Sequence, residues 1–134
     1  MELRKFLDKL RNHGQLVDIK KQVALDFELA AVIEAMLQGG RPISLFTTDH
    51  PSGIPVVGGV LGDIKRIALA LGCSEGEMKS RLAKAVDNLI PTKEVDTAPF
   101  QANILKGTAV NLREQLPIPH HNKGDGGPYI TGGI

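Results

Sequence analysis

A glycine-rich turn at residues 58–62 is the first place where the residue types could do chemistry. Its sequence is GGVLG, between a predicted strand at residues 54–57 and a predicted helix at residues 64–71. Glycine-rich turns that lead into a helix can bind phosphate through backbone N–H groups. However, the sequence has neither the G-x-G-x-x-G spacing nor a following Gly-Lys-Ser/Thr. We therefore favour the alternative, in which these glycines allow a tight turn and close packing of helix against strand.

Histidine and cysteine side chains are the next candidates, because they can bind metals or act as nucleophiles. His120 and His121 are adjacent, and adjacent residues of an extended chain point to opposite sides, so a polar loop is favoured over a shared metal site. Cys73 precedes a predicted helix, where a thiol can be reactive, but the sequence indicates no His partner for it. His13 and His50 lie at a predicted helix end and in a predicted turn, and both are expected to be exposed.

The carboxylates do not form a recognisable acid–base pair. Most fall at predicted helix caps or on predicted polar helix faces: Glu28, Glu34, Glu75, Glu77 and Asp87. General acid–base catalysis needs titratable groups positioned around one substrate, and these spacings assemble no such group. The residues alone therefore predict a folded domain without an evident active site.

The segment at residues 124–131 has a different character, with the sequence GDGGPYIT. Three glycines around Asp125 predict an unusual backbone path, because glycine reaches conformations that other residues avoid. Pro128 then favours an extended chain, and residues 129–131 are predicted to form a strand. Such a turn can bring backbone N–H groups near a ligand, or it can connect two domains, and the two functions are compatible.

Four predicted helices must position these residues. Their apolar side chains recur at helical spacing, at residues 3–11, 26–37, 64–71 and 74–89. Asp26 is the expected N-cap of the second helix, and Ser74 with Glu77 forms a capping box before the fourth. The fourth helix is expected to bury one face, made of Met78, Leu82, Ala85 and Leu89.

Short strands alternate with these helices. They are predicted at residues 16–19, 43–47, 54–57 and around 100–104, and residues 112–116 fit a short helix or turn. This order predicts an α/β (mixed α+β) fold, a small layered domain with about four helices and a short-stranded sheet.

Composition excludes several functional classes. The 134 residues include 16 basic and 15 acidic side chains, and a net charge of +1 argues against non-specific nucleic-acid binding. Aromatic residues are 4% with no Trp, so stacking platforms for single-stranded nucleic acid are not expected. One Cys excludes an internal disulfide framework and a Cys-based zinc cluster. No apolar run has the length of a signal peptide or a membrane span, which predicts a cytoplasmic protein.

Three blocks of the sequence resemble the UbiD-like decarboxylases, which depend on prenylated FMN. In chain order the blocks are residues 3–7 with 14–19, residues 55–62 with 66–72, and residues 116–119 with 124–131. They follow the order of the family and cover almost the whole chain.

The resemblance implies an activity and a set of cofactors. Family members are cytoplasmic carboxy-lyases that act, in some cases reversibly, on aromatic, heteroaromatic or α,β-unsaturated acids. The prenylated flavin forms an adduct with the substrate before CO₂ leaves, so the cofactor carries the chemistry. The resemblance also implies a divalent metal (manganese) with potassium at the flavin phosphate, a flavin prenyltransferase as cofactor supplier, and a homo-oligomer.

The same resemblance places the family's metal-binding Asn, catalytic Arg and two Glu residues downstream of the third block. No catalytic or metal-binding residue is therefore assigned in this chain. Thr131 is the one position expected to approach the flavin, while Asp125, Gly126 and Gly127 shape that edge.

The implied domains are an N-terminal α/β domain at residues 1–116 and, at residues 117–134, a linker with the first strand of a split-β-barrel flavin-binding domain. The chain is thus expected to be the N-terminal part of a larger enzyme, through truncation, proteolysis or a split gene. Its expected partners are the remaining regions of that enzyme, and alone it is expected to be inactive and to hold no flavin tightly.

Two other functions stay open. The domain could be a non-catalytic binding or interaction subunit that completes an enzyme in trans, which predicts stable binding to a separate large subunit. It could also be a free-standing phosphate or nucleotide binder that uses the turn at residues 58–62, which predicts higher thermal stability with millimolar nucleotide.

Overall fold

The structure, a computed structural model, describes residues 2–131. Within this range the elements are α1 (Leu3–Asn12), β1 (Leu16–Val23), α2 (Glu28–Gln38), β2 (Ile43–Thr48), β3 (Val56–Gly58), α3 (Ile64–Leu71), α4 (Met78–Asp87) and α5 (Leu112–Gln115). Single 3₁₀ turns lie at Glu75–Glu77, Pro99–Gln101 and Gly107–Ala109. Among the described residues, no helix combines the length and the apolar character that a membrane crossing needs. The predicted mixed α+β fold is confirmed.

The three strands form one sheet in the order β1-β2-β3. β1 and β2 are parallel, with Leu16 opposite Ile43 and Ile19 opposite Phe46. A parallel pair needs a crossover connection, and α2 supplies it. β3 runs antiparallel to β2. The sheet is therefore mixed, and the glycine turn that follows β3 lies against α2.

Helices cover both faces of the sheet. Successive side chains of β2 point to opposite faces, so each face presents apolar residues to a helix. Ile43 lies on one face and packs with Leu10 of α1. Phe46 lies on the other face and packs with Leu29 of α2. Leu10 and Leu29 are both fully buried. This three-layer arrangement is the one that buries the apolar stripe of each helix against the sheet.

The start of α2 differs from the prediction. Its N-cap is Phe27 rather than Asp26, and Phe27 has a φ of 65°. This left-handed conformation is uncommon for a bulky side chain. Asp26 is instead paired with His120 in an isolated parallel bridge. The distant segment around His120 therefore competes with, and replaces, the local cap.

The strand predicted around residues 100–104 is wrong. Pro99 begins a 3₁₀ turn there, and Gln101 Oε1 accepts a hydrogen bond from the Ala98 N–H at 3.0 Å. Proline fixes φ and removes a donor, both of which favour a turn over a ladder. Phe100 is 82% exposed, so the apolar residues of this segment have no described sheet to cover.

The strand predicted at residues 129–131 is also not observed. These three residues have no regular secondary structure, and no described strand pairs with them. The ring of Tyr129 stacks on His121, with centroids 5.6 Å apart. The predicted barrel strand extends to residues 132–134, which lie outside the described residues.

Helix α4 lies where it was predicted, but it buries none of its residues. Leu82 is 49% exposed and Leu89 is 82% exposed, so the expected buried face is wrong. Within the described residues α4 packs mainly against the 3₁₀ turn before it and against α3. Helical spacing identified an apolar stripe, and nothing in the described chain covers it.

The capping box before α4 is confirmed and predicts a pH dependence. Glu77 Oε2 accepts hydrogen bonds from Ser74 Oγ at 2.6 Å and from the Ser74 N–H at 2.9 Å. These bonds, the hydroxyl first, hold the pKa of Glu77 below its ordinary value of 4.5. Because the folded pKa is the lower one, the cap stabilises fully above pH 4.5 and is lost as the pH falls through the folded value.

We expect an NMR titration of the Ser74 amide to report this transition below pH 4.5. Glu77→Gln should abolish it, because the amide side chain does not titrate. Glu75→Gln, in the same 3₁₀ turn, is the matched control and should leave it in place. A transition that persists in Glu77→Gln would contradict the assignment.

Candidate functional site

The glycine turn is packed against α2 and is not open toward a ligand. A Cβ on Gly58 would overlap the side chain of Ile33, and one on Gly59 would lie 2.9 Å from Leu37 Cδ2. Gly59 also has a φ of 71°, which L-residues rarely adopt. A Cβ on Gly62 would lie 2.5 Å from the same Leu37 atom. The predicted packing function of these glycines is confirmed.

His120 fastens the C-terminal segment to the start of α2. Its N–H donates to the Leu25 carbonyl at 3.2 Å, and its own carbonyl accepts from the Phe27 N–H at 2.8 Å. The ring lies on Phe27 with centroids 4.6 Å apart, and Nδ1 is 3.8 Å from Asp26 Oδ1. The side chain is only 17% exposed, so the prediction of a plain polar loop is wrong for this residue. His120 thus acts as a structural clasp, by which we mean a residue that holds two distant segments of the chain together.

The two adjacent histidines do not share a site. His121 is exposed and stacks on Tyr129, whereas His120 contacts Phe27. Within residues 2–131, no group of three or more His, Cys, Asp or Glu side chains could hold a metal ion. The two imidazole rings therefore make separate contacts with separate aromatic partners.

A second clasp joins the β2–β3 turn to the short helix α5. His50 Nε2 lies 2.8 Å from the Arg113 carbonyl, and Nδ1 lies 2.8 Å from Ser52 Oγ. A carbonyl only accepts, so Nε2 must carry the proton and Nδ1 accepts from the Ser52 hydroxyl. His50 is half-buried, contrary to the expected exposed loop residue, whereas His13 is exposed as expected.

Replacing His50 with alanine should release α5 from the turn. We expect hydrogen exchange of the amides at residues 112–118 to accelerate about fivefold, since a net hydrogen bond is worth about 1 kcal/mol. His13→Ala, on the exposed end of α1, is the control. Unchanged exchange in His50→Ala would show that this clasp does not hold the segment.

The loop at residues 122–127 is closed by its own side chain. Asp125 Oδ2 accepts from the Asn122 N–H at 3.0 Å, and the Asp125 N–H donates to the Asn122 carbonyl at 3.0 Å. Of the three glycines here, only Gly127 has a positive φ, at 131°. Its missing Cβ would lie 3.2 Å from Arg113 Nη2. The unusual backbone path is thus confined to one glycine, and Asp125 shapes the turn.

Two open cavities border this C-terminal segment. The larger, about 580 Å³, lies between α2 and residues 121–123 and includes Phe27 and Glu34. The smaller, about 310 Å³, lies between His50, Arg113 and Pro128. Neither contains a converging set of catalytic groups, because His50 and Glu34 are already engaged, the latter by Gln38 Nε2 at 3.0 Å.

Cys73 and Thr131, the two remaining single-residue candidates, have no described partner of functional interest. Cys73 is half-buried, and its N–H donates to the Ala68 carbonyl at 3.1 Å after α3 ends. Thr131 is exposed at the end of the described residues. The interpretation of Thr131 as a flavin contact stays a prediction.

One buried charge was not singled out from the sequence. Arg66 in α3 is 3% exposed, and its Nη1 donates to Gln15 Oε1 at 3.4 Å. Its Nε has no hydrogen-bond partner among the described residues. The spacing of Ile64 and Ala68 places Arg66 on the opposite side of α3, where a polar side chain is ordinary, so the sequence contained no signal of its burial.

The described residues do not by themselves fit a prenylated flavin or its metal. A flavin phosphate and a divalent cation need converging cationic groups, carboxylates or amides, and the loop carboxylate of Asp125 is already bound to Asn122. No set of metal-ligating side chains converges within residues 2–131. No catalytic step is therefore derived from these residues.

Two family models match consecutive parts of the chain. The 3-octaprenyl-4-hydroxybenzoate carboxy-lyase N-terminal domain matches residues 7–86. The Rift-related domain of the same carboxy-lyase matches residues 92–134. A curated relative, the anhydromevalonate phosphate decarboxylase of Methanothermobacter thermautotrophicus, is 31% identical over 132 residues. That alignment spans 98% of this chain and 29% of the relative.

Solved structures give the same result. The evolved dimeric form of the UbiD-class enzyme HmfF from Pelotomaculum thermopropionicum, in complex with prFMN, is 36% identical with a TM-score of 0.86, over 96% of this chain and 30% of that one. The vanillic acid decarboxylase of Sedimentibacter hydroxybenzoicus is 29% identical with a TM-score of 0.80, over 96% of this chain and 29% of that one. The chain belongs to the UbiD family of decarboxylases and corresponds to their N-terminal part.

Proposed function

We propose that this chain is the N-terminal scaffold of a UbiD-type carboxy-lyase that decarboxylates aromatic or α,β-unsaturated acids, in some cases reversibly, with prenylated FMN. The observation that carries the proposal is the likeness to a prFMN-bound UbiD-class enzyme, at a TM-score of 0.86 over 96% of the chain. The chain spans only about 30% of that enzyme, so the reacting groups belong to the remainder.

In this proposal residues 1–116 form the α/β domain, and residues 117–134 lead into the flavin-binding domain. The His120 clasp fits this proposal, because it fastens the beginning of the second segment onto the first domain. Thr131 is the residue nearest to the flavin, and the manganese, the potassium and the oligomer contacts belong to the catalytic remainder. The cytoplasmic location and the prenyltransferase partner are parts of the same proposal.

The 134-residue chain alone should neither release CO₂ nor hold flavin. The test is absorbance in the flavin region after purification from cells that also produce a flavin prenyltransferase. We expect no flavin band. Stoichiometric bound flavin would overturn the assignment of the cofactor site to the catalytic remainder.

A chimera tests the scaffold function itself. In it, this chain replaces the aligned N-terminal part of the Pelotomaculum thermopropionicum UbiD-class enzyme, a relative 36% identical to it. The chimera should bind prFMN and decarboxylate the substrate of the parent enzyme. The alternative subunit function in trans predicts instead that the separate chain restores activity to an enzyme lacking its N-terminal part.

A further inference from the structure

Helix α4 presents an apolar stripe that the described chain leaves uncovered. Leu82 and Val86, at positions i and i+4, lie on one side of α4, and Leu89 follows just after the helix ends at Asp87. Val86 is 71% exposed and Leu89 is 82% exposed. No residue of α4 is buried. Its other side carries Arg81 and Lys84, so the helix is amphipathic without a partner in the described chain.

The exposed apolar residues continue along the chain after α4. We call this set the apolar ribbon: Leu82, Val86, Leu89, Ile90, Phe100 and Ile104. Ile90 is 92% exposed, Phe100 is 82% exposed and Ile104 is 62% exposed. Single exposed apolar residues are ordinary, but here large ones follow one another along the chain, and they lie exposed in the described structure.

The match to known families indicates which partner covers the ribbon. The Rift-related domain match begins at residue 92, so the ribbon crosses the boundary between the two matched domains. Phe100 and Ile104 lie inside the second match, so exposed apolar residues stand on both sides of the boundary between the matches. The chain covers only 30% of a UbiD-class enzyme with this fold, so most of such a domain lies outside it.

Charge adds a second argument for the same partner surface. Lys79, Arg81 and Lys84 lie on α4 between two acids, Glu77 at its N-cap and Asp87 at its last residue. None of these three cations forms an ion pair within the described residues. A surface that fits α4 would therefore have an apolar groove edged by carboxylates.

We propose that the apolar ribbon is the docking surface for the catalytic Rift-related domain of a UbiD-type enzyme, in cis or in trans. This inference rests on the proposed function and deepens it by naming the contact between scaffold and catalytic domain. Val86 and Leu89 enter a groove of that domain, and Phe100 and Ile104 pack against it. The competing possibility is that a second copy of this chain covers the apolar ribbon.

The test measures access to the ribbon and not activity. Val86→Cys is made in a Cys73→Ser background, and maleimide labelling at position 86 is followed by peptide mass spectrometry. The rate is measured in the separate chain and in the chimera defined above. Docking predicts a rate at least about tenfold lower in the chimera, because a buried thiol reacts only after local opening. Ser80→Cys, exposed on the opposite side of α4 from Leu82, is the matched control and should react equally in both.

Each outcome decides the proposal. Equal labelling of Val86→Cys in the chain and in a folded chimera would overturn it, whether or not the chimera is active. Protection in the separate chain that grows with its concentration would identify a second copy as the occupant and also overturn it. If the chimera does not fold, the same two cysteine substitutions are made at the aligned positions of the parent enzyme, and the comparison of their labelling rates decides the proposal. A protected but inactive chimera would support docking and count against the proposed function alone.

Discussion

Phe46→Ala should lower the free energy of unfolding of this domain by about 3–5 kcal/mol. Phe46 lies in β2, is 1% exposed and packs with Val23 and Leu29. Removing the ring leaves a cavity between β2 and α2 that the rigid sheet cannot close. The loss of stability therefore includes both the transfer free energy of the ring and the cost of the cavity. Domains of this size are stable by only about 5–15 kcal/mol, so a large part of the stability would disappear.

Urea unfolding followed by far-UV circular dichroism measures this effect, as a lower midpoint at an unchanged slope. Phe100→Ala is the matched control, because the same side chain is removed from a position that is 82% exposed. We expect it to change stability by less than about 0.5 kcal/mol in the separate chain. Equal losses for the two variants would contradict the assignment of the core.

Gly58→Ala should be the second large effect, with a loss of about 1–3 kcal/mol from overpacking. The added Cβ would overlap two side-chain carbons of Ile33 and lie 3.2 Å from its Cγ2. Ile33 is β-branched and lies within α2, so its χ1 has one strongly preferred rotamer. The side chain cannot rotate away, and α2 must shift from the sheet.

A double mutant tests whether the contact with Ile33 causes this loss of stability. Ile33→Ala removes the carbons that the new Cβ meets, so Gly58→Ala should cost at least about 1 kcal/mol less in that background. Gly124→Ala is the control, because a Cβ there meets no atom within 4 Å. If Gly58→Ala alone does not affect stability, close packing is not the reason for this glycine, and a nucleotide titration would then test the turn for ligand binding.

The fold was largely predictable because its signals are local. The spacing of Phe6 and Leu10 and the capping box of Ser74 and Glu77 act through residues near in sequence, whereas the glycines before α3 contact Ile33 and Leu37 of α2. The first two correspond to buried contacts or observed hydrogen bonds. Helix periodicity and caps are encoded within one or two turns of chain.

Two of the errors, those at Asp26 and His50, come from contacts between distant segments. Asp26 has the residue type of a cap but is paired with His120, and His50 binds a carbonyl 63 residues away. The stripe of α4 shows which side of the helix is apolar, but spacing does not say what covers it. Phe100 was expected in a strand, and Pro99 starts a 3₁₀ turn instead.

The sequence indicated a function only through its resemblance to a known family. No spacing of titratable residues indicated decarboxylation, and the described residues contain no converging metal-ligating set. In physical terms, catalysis needs functional groups gathered around one substrate, and under the proposed function those groups belong to the remainder of the enzyme. The motif at residues 124–131 pointed to the family, although Asp125 binds its own loop.

Decarboxylation by the chimera tests the central claim most directly, that this chain is the scaffold domain of a UbiD-type decarboxylase. The measurement is the rate of CO₂ release from the parent's substrate, per bound prFMN, for the chimera and for the unmodified Pelotomaculum thermopropionicum enzyme. We expect the chimera to keep at least about a tenth of the parent's kcat/KM, a loss below about 1.4 kcal/mol in transition-state stabilisation. A folded, prFMN-loaded chimera that releases no CO₂ would contradict the claim.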